Sequence, residues 1–211
     1  MQSQLEAWES IYKKQKDPRE EPQGEVIPLH ELFQNNPVEK ILDLGCGSGR
    51  HLVYFAKLGY RVSGIDIAPG AVNLSQMRLA AENLKAELQC GDMIRLPWPE
   101  NFFDAVISIR VIEHNRFTHI QKILKEVGRV MRTGGFFFAN LKKYPPYKNW
   151  KKGKFARIDR HLYAPTEGDE KDIIHYFFTE DELKIILSDF SIIKIEEDEK
   201  SRHFCVLAKK S

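Results

Sequence analysis

The sequence predicts an α/β domain with a doubly wound, mainly parallel sheet of seven strands and an antiparallel hairpin at the end of the chain. Three observations lead to this fold class. Short apolar runs alternate with longer segments whose apolar residues recur at helical spacing. A glycine-rich turn joins the first of these runs to the helix that follows it. The last two runs are separated by a turn too short for a helix, which requires one of them to be antiparallel.

The first half of the chain predicts three strands and two helices. In order, these are a strand 40–46, a helix 50–58, a strand 61–67, a helix from Pro69 to about Leu84, and a strand 86–90. The strands are short and apolar, as buried parallel strands are. Gly59 supplies a C-cap for the first helix. Pro69 has the fixed φ that favours the first turn of the second helix.

The second half continues the alternation and then ends in the hairpin. In order, it predicts a strand 103–109, a helix 119–131, a strand 136–141, a helix 180–189, and strands 191–197 and 203–209. Apolar residues recur every three or four positions from Ile120 to Met131. Thr179 is a good N-cap, with Glu182 at the third position of a capping box. Strand–helix alternation implies right-handed crossovers and helices on both faces of the sheet.

The composition fits one globular domain that spans residues 1–211. The chain has 32 basic and 30 acidic residues, a formal net charge of +2, and 42% hydrophobic residues. These values exclude a disordered chain, and no apolar run approaches the roughly 18 residues of a membrane span. The N-terminus lacks the apolar stretch of a secretory signal, and Cys46, Cys90 and Cys205 are too few for a disulfide framework or a zinc site. We therefore expect a cytoplasmic protein without a metal or a membrane partner.

The glycine-rich turn runs from Asp43 to Gly49 between a strand and a helix. Glycines there allow a ligand to approach the backbone closely, and the helix N-terminus offers free N–H groups. The spacing is G-x-G-x-G, whereas a dinucleotide fingerprint requires its third glycine at the next position, which is Arg50. The carboxylate of Asp43 would repel a pyrophosphate but suits a ligand that bears an ammonium group.

Two further acids lie at the ends of the second and third strands. Asp66 stands where an acid accepts hydrogen bonds from ribose hydroxyls. Asp92 can accept from an exocyclic amino group, and Met93 offers an apolar contact to a purine. An ammonium group, a ribose and an adenine without phosphates together describe S-adenosylmethionine.

At these positions the sequence resembles the class I S-adenosylmethionine-dependent methyltransferases. Five segments carry the resemblance, in the family's order and spacing: 41–49, 64–67, 91–97, 103–114 and 127–136. The resemblance implies a Rossmann-like fold and S-adenosyl-L-methionine as the cofactor. It implies cofactor contacts by Asp43, Gly45, Gly47, Asp66, Ile67, Asp92 and Met93. Arg110 stands where the family's fourth strand passes the methionine portion of the cofactor.

Two segments outside these motifs are expected to close the site. Residues 1–36 predict an N-terminal helical cap, in which Trp8 and Tyr12 lie at helical spacing, and similar helices cover the cofactor in relatives. Residues 142–178 predict a lid inserted after the fifth strand, with little periodicity and without secondary structure of its own. The first half of this lid is basic and the second half is acidic. The basic half is either a solvated face or attracts an anionic acceptor.

A methyl acceptor that must lose a proton needs a base in reach. The candidates on the acceptor side are His114, His161, Tyr163 and His175. We favour His114, because it follows the strand whose carboxyl end should face the methyl group. An ordinary capping role for His114 remains an equal alternative.

The predicted function is methyl transfer to a small-molecule acceptor, by a monomer or a small homo-oligomer. Two alternatives stay open. An RNA methyltransferase could use the basic lid and its aromatic residues, Tyr144, Tyr147, Trp150 and Phe155, for backbone and base contacts. A protein that binds S-adenosylmethionine without turnover would keep the same cofactor residues.

Overall fold

A computed structural model describes residues 2–14, 21–146, 154–198 and 202–211. Among the residues that the sequence analysis singled out, Tyr147, Trp150 and the first lysines of the lid after Lys143 lie outside these ranges. Seven of the strands form one sheet, and the predicted fold class is confirmed. These strands are β1 (Lys40–Leu44), β2 (Arg61–Asp66), β3 (Ala86–Cys90), β4 (Phe103–Ile109), β5 (Met131–Lys142), β9 (Phe190–Asp198) and β10 (His203–Lys210).

The sheet order is β3-β2-β1-β4-β5-β10-β9. The five strands from β3 to β5 are parallel to one another, whereas β10 is antiparallel to both β5 and β9. Since the chain order reverses between β1 and β4, a crevice opens beyond the carboxyl ends of these two strands. Ligands of open α/β sheets bind in such a crevice.

Six α-helices lie within the described residues: α1 (Gln2–Lys14), α2 (Leu29–Gln34), α3 (Arg50–Lys57), α4 (Pro69–Ala81), α5 (Phe117–Val130) and α6 (Glu180–Ile186). The capping box predicted for α6 is present, because Thr179 and Glu182 each accept a hydrogen bond from the backbone of the other. Helix α4 ends three residues before the predicted Leu84. Asn83 has a positive φ of 55°, a conformation that does not continue a right-handed helix.

The core lies on both faces of the sheet. Neighbouring residues of β4 belong to different apolar clusters, because side chains of a strand point alternately to opposite faces. Val106 packs with residues of α5 and α6 on one face. Ile107 packs with Phe33 of α2 and Phe55 of α3 on the other. Burial on both faces explains why the parallel strands are almost continuously apolar.

The described part of the lid contains a small antiparallel sheet, so the prediction of a segment without secondary structure was wrong. This sheet has the order β6-β7-β8 and is formed by β6 (Phe155–Arg157), β7 (Leu162–Pro165) and β8 (His175–Tyr176). Strands of two to four residues are too short to produce a readable alternation of apolar and polar residues. Only the pairing of these segments in three dimensions reveals them.

Candidate active site

A cavity of about 540 Å³ lies at the carboxyl edge of the parallel strands. The turns after β1, β2, β3 and β4 form its base, α1 covers it, and residues from the end of β5, the start of β10 and the lid complete the wall. Ten of the residues predicted from the sequence line it: Trp8, Tyr12, Gly45, Gly47, Asp66, Ile67, Asp92, Met93, Arg110 and His114. Their contacts with a ligand stay predictions, but the fold brings all ten together.

The glycine turn after β1 is shaped by two close contacts. Gly45 and Gly47 have positive φ values of 75° and 55°. A Cβ atom at Gly45 would lie 2.3 Å from Val111 Cγ1, and one at Gly47 would lie 2.8 Å from the hydroxyl oxygen of Tyr12. The positive φ at both positions favours glycine, and at Gly45 the side chain of Val111 also leaves no space for a Cβ atom.

Asp43 lies beneath this turn and does not line the cavity. Its side chain is 3% exposed. Among the described residues, Asp43 Oδ2 has no hydrogen-bond partner, and its nearest basic atom is His51 Nδ1 at 3.7 Å. A buried carboxylate oxygen without a donor is costly. An ammonium group bound at the glycine turn would supply a donor, so this part of the site fits S-adenosylmethionine.

Asp66, at the end of β2, holds the glycine turn in place. Its carboxylate accepts hydrogen bonds from the backbone N–H groups of Gly47 at 2.9 Å and Ala68 at 3.0 Å. Burial raises the pKa of Asp66 to about 6, although the two backbone donors oppose this shift. A carboxylate has about four acceptor positions, and two donors leave capacity for ribose hydroxyls.

Asp92 and Arg110 follow β3 and β4. Asp92 Oδ1 accepts a hydrogen bond from the N–H of Ile94 at 3.1 Å, which fixes the turn beneath the predicted adenine position. Arg110 has a positive φ of 58°, and its Nη2 lies 3.8 Å from Glu25 Oε1. Its Nε is buried without a hydrogen-bond partner among the described residues.

Helix α1 closes the cavity through specific contacts. The indole ring of Trp8 meets the ring of His114 edge-on, with 5.0 Å between centroids. Gln4 Nε2 donates to the carbonyl of His114 at 3.1 Å. The N–H of Gly70, in the first turn of α4, donates to Glu9 Oε2 at 2.9 Å.

His114 is buried between the cap and the lid. Its Nε2 lies 3.1 Å from the carbonyl oxygen of Arg110, which can only accept, so the proton resides on Nε2. Nδ1 then carries the lone pair, and it is buried without a hydrogen-bond partner among the described residues. Burial, and then the charges of His175 and Lys142, hold the pKa of His114 well below its usual range. The neutral imidazole can accept a proton only after its ring reorients, and the role of His114 as a base stays a prediction.

The three predicted lid residues do not line the cavity. His161 Nδ1 donates to Glu182 at 2.9 Å, and its ring stacks against Tyr144 at 4.3 Å. The ring of Tyr163 packs edge-on against Phe177. The contact of His161 with Glu182 therefore attaches the lid to α6, whereas the contact of Tyr163 with Phe177 lies within the lid. A direct role of either residue at an acceptor stays a prediction.

His175 stands one layer behind the cavity wall. Its ring is fully buried and lies 4.6 Å from that of His114, centroid to centroid. Its Nε2 is 3.3 Å from Glu170 Oε2, and Glu170 lines the cavity. The hydrogen bond to His175 lowers the pKa of Glu170 to about 2.

Two described basic residues of the lid, Lys154 and Arg157, are exposed, as the interpretation of the basic half as a solvated face expects. Lys154 pairs with Glu167 at the surface, and Arg157 donates to the backbone carbonyl of Asp159. Of the acidic half, Asp169 and Glu170 line the cavity. Lys142, at the end of β5, is the one basic residue of the described lid range that lines it.

Several cavity residues were missed by the sequence analysis. They are Gln4, Arg50, His51, Asn115, His119, Lys142, Asp169, Glu170 and His203. Arg50 and His51 follow the glycine turn directly, so their place at a helix N-terminus could have indicated them. His203 opens β10 and pairs with Lys142 across the sheet. No local signal in the sequence points to that position.

Two negative findings apply to the described ranges. No helix there has the length and apolarity needed to cross a bilayer. Within the same ranges, no group of three or more His, Cys, Asp and Glu side chains is arranged to hold a metal ion.

Comparisons with known proteins agree with this geometry. Residues 42–139 match the family described as a methyltransferase domain. A solved structure of an S-adenosylmethionine-dependent methyltransferase from Methanosarcina mazei superposes with a TM-score of 0.73 at 25% sequence identity, covering 85% of this chain and 96% of that one. The chain is therefore similar to S-adenosylmethionine-dependent methyltransferases over residues 42–139 and in its overall fold.

Two relatives illustrate how far the similarity extends. The ajmaline N-methyltransferase of Rauvolfia serpentina is 35% identical over 108 residues, which are 48% of this chain and 36% of the plant protein. The ubiquinone biosynthesis O-methyltransferase of Bradyrhizobium sp. is 26% identical over 206 residues, which are 84% of this chain and 76% of the bacterial protein. The match therefore spans about a third of the length of the plant relative.

Proposed function

We propose that this protein transfers a methyl group from S-adenosylmethionine to a small-molecule acceptor. The observation that carries the proposal is the meeting of the glycine turn, Asp66 and Asp92 around one cavity above a buried carboxylate oxygen of Asp43 that lacks a donor. The relatives named above methylate small molecules according to their names, which supports the same class of acceptor here.

The residues of the chain bind and align the reactants. Asp43 and the glycine turn would hold the amino-acid end of the cofactor, Asp66 the ribose, and Asp92 with Met93 the adenine. When bound, the cofactor supplies an electrophilic methyl group on a positively charged sulfur. Trp8 and Tyr12 cover the cavity, which excludes water, and alignment with water exclusion accounts for much of the acceleration of such a displacement.

Proton transfer is a separate part of the proposal. An acceptor that loses a proton would transfer it to His114 after a rotation of the imidazole, since Nε2 already donates to Arg110. Burial keeps His114 neutral, as its lowered pKa requires, so the ring has a lone pair available. An acceptor that needs no deprotonation would use His114 only as part of the wall.

The location and the assembly state also belong to this proposal. The three cysteines are free thiols, which supports the expected cytoplasmic location. A monomer or a small homo-oligomer stays the prediction from the sequence.

The test begins with binding and proceeds to turnover. We expect S-adenosylmethionine and S-adenosylhomocysteine to bind in calorimetric titrations, and NAD to bind measurably more weakly. A panel of small-molecule acceptors and short RNAs is then screened for formation of S-adenosylhomocysteine. Preference for NAD would contradict the proposal. Turnover with RNA alone would favour the RNA methyltransferase, and tight binding without turnover of any acceptor would favour the non-catalytic alternative.

A further inference from the structure

His51, the second residue of α3, connects three parts of the candidate site. Its ring is 4% exposed and lines the cavity. One ring nitrogen faces Asp43 beneath the glycine turn. The other faces the backbone of Gln23, in the segment that precedes α2.

The contact with Gln23 determines which nitrogen of His51 carries the proton. The backbone N–H of Gln23 donates to His51 Nε2 at 3.4 Å. Because an N–H group can only donate, Nε2 must present its lone pair, and the imidazole is neutral with its proton on Nδ1. That N–H group is therefore on the side of Asp43.

The contact with Asp43 is incomplete in this conformation. The distance from His51 Nδ1 to Asp43 Oδ2 is 3.7 Å, which is too long for a hydrogen bond. Asp43 Oδ2 has no other hydrogen-bond partner among the described residues. Polar contacts of ligand sites are often long without ligand and shorten when it binds.

Gln23 also holds the neighbouring residue of α3. With the side-chain amide oxygen of Gln23 directed at Arg50, this oxygen accepts from both terminal guanidinium nitrogens at 2.9 Å each. The backbone of Gln23 thus holds His51, and its side chain holds Arg50. Both of these residues line the cavity next to the glycine turn.

We propose that His51 is a positioning residue that orients the carboxylate of Asp43 toward the ammonium group of S-adenosylmethionine. The inference rests on the proposed function, because it assigns His51 to the amino-acid end of that cofactor. A buried carboxylate needs partners to remain charged. The His51 N–H supplies one of them, and the ligand ammonium supplies the other.

Two ligands separate this role from general stability. S-adenosylhomocysteine carries the amino-acid end, whereas 5′-methylthioadenosine has the same nucleoside and lacks it. A residue that acts through Asp43 affects the binding of the first ligand only. A residue that merely supports the fold affects both.

Two substitutions of similar size distinguish the roles of the two ring nitrogens of His51. In His51→Gln, the amide group lies at the position of Nε2, so Gln23 keeps an acceptor and Asp43 loses its donor. In His51→Asn, the amide nitrogen is as many bonds from the backbone as Nδ1 is, so a donor toward Asp43 remains. His30→Gln is the matched control, because His30 contacts Tyr60 and does not line the cavity.

The experiment is calorimetric titration of the full chain and its variants with both ligands. We expect His51→Gln to weaken binding of S-adenosylhomocysteine about tenfold, in the range for a hydrogen bond to a charged group. The same variant should bind 5′-methylthioadenosine with unchanged affinity. His51→Asn should keep most of the wild-type affinity for S-adenosylhomocysteine. The control His30→Gln should bind both ligands as the wild type does. In an Asp43→Asn background, His51→Gln should cause little further loss, since the two residues act together.

Three results would overturn the inference. They are unchanged affinity of His51→Gln for S-adenosylhomocysteine, an equal loss of affinity for both ligands, and full additivity of the two substitutions. If the wild type binds neither ligand, both the proposed function and this inference are wrong. If His51→Gln does not fold, His51→Asn is compared with the wild type on both ligands instead. A loss of affinity that is confined to 5′-methylthioadenosine, or that is equal for both ligands, contradicts the proposed role of His51.

Discussion

Replacement of Asp66 by Asn should make the stability of the protein less dependent on pH. Burial holds the proton of Asp66 at a pKa of about 6, against an ordinary value of 3.8. The folded state therefore binds this proton more tightly than the unfolded state does, and stability that is present below pH 4 is lost as the pH rises through 6. Since one pKa unit corresponds to about 1.36 kcal/mol, the loss is about 3 kcal/mol.

The Asn variant has no titratable proton at this position. The test therefore compares how much the free energy of unfolding of each protein changes between two pH values. Asn cannot accept from both Gly47 and Ala68 as the carboxylate does, which costs about 1–3 kcal/mol at either pH. This cost cancels in the comparison. Of the roughly 3 kcal/mol in the wild type, about 2 kcal/mol falls between pH 4.5 and 7.5.

The assay is urea unfolding of both proteins at pH 4.5 and pH 7.5. The variant should gain about 2 kcal/mol relative to the wild type between the two conditions. Asp189→Asn, at an exposed position, controls for the removal of one negative charge. If the wild type and Asp66→Asn respond to pH in parallel, the reasoning from burial is refuted. In the same variant, we expect affinity for S-adenosylhomocysteine to fall by about 1.5–3 kcal/mol, the range for hydrogen bonds to a charged group.

Three further predictions concern stability. Thr179→Ala removes the hydrogen bond from the backbone N–H of Glu182 and should lower the free energy of unfolding by about 1 kcal/mol. Thr179→Ser keeps a hydroxyl group and should not lower it. Equal losses for the two variants in urea titrations would contradict the capping role of Thr179. Phe137→Ala creates a cavity at a fully buried position and should cost about 3–5 kcal/mol in the same assay, so a loss below about 1 kcal/mol would argue against tight packing there. Burial raises the pKa of Glu113 to about 7, so the stability of the wild type falls as the pH rises toward 8. Between pH 4.5 and 8.5, Glu113→Gln should therefore gain about 3 kcal/mol in free energy of unfolding relative to the wild type. A constant difference between the urea midpoints of the two proteins at both pH values would contradict this prediction.

The succession of strands and helices along the chain, and the edge of the sheet at which the ligand site lies, could be predicted from the sequence. Parallel strands place all their carboxyl ends at one edge. The residues that follow β1, β2, β3 and β4 were therefore expected to meet, and Gly47, Asp66, Asp92 and Arg110 do line one cavity. This inference needs only the periodicity of each element and a rule of topology.

The local signals were sufficient for helix boundaries where a residue imposes its own backbone geometry. Pro69 begins α4, and Thr179 with Glu182 begins α6 as the capping box requires. The short strands of the lid gave no signal, because two to four residues do not establish a period. Their strand conformation depends on pairing with other segments, as when Leu162 pairs with Tyr176 across the loop between β7 and β8.

The sequence by itself determined the class of the fold and the strand-end positions at which a cofactor would bind. The tertiary structure alone decided which side chains complete the site and how their nitrogens are directed. His203 reaches the cavity because β10 pairs with β5, and Asp169 and Glu170 reach it because the lid folds back over His114. The carbonyl of Arg110 fixes the proton of His114 on Nε2. The physical reason is range: caps, turns and periodicity act between residues a few positions apart, whereas burial and side-chain orientation depend on contacts between segments far apart in the chain.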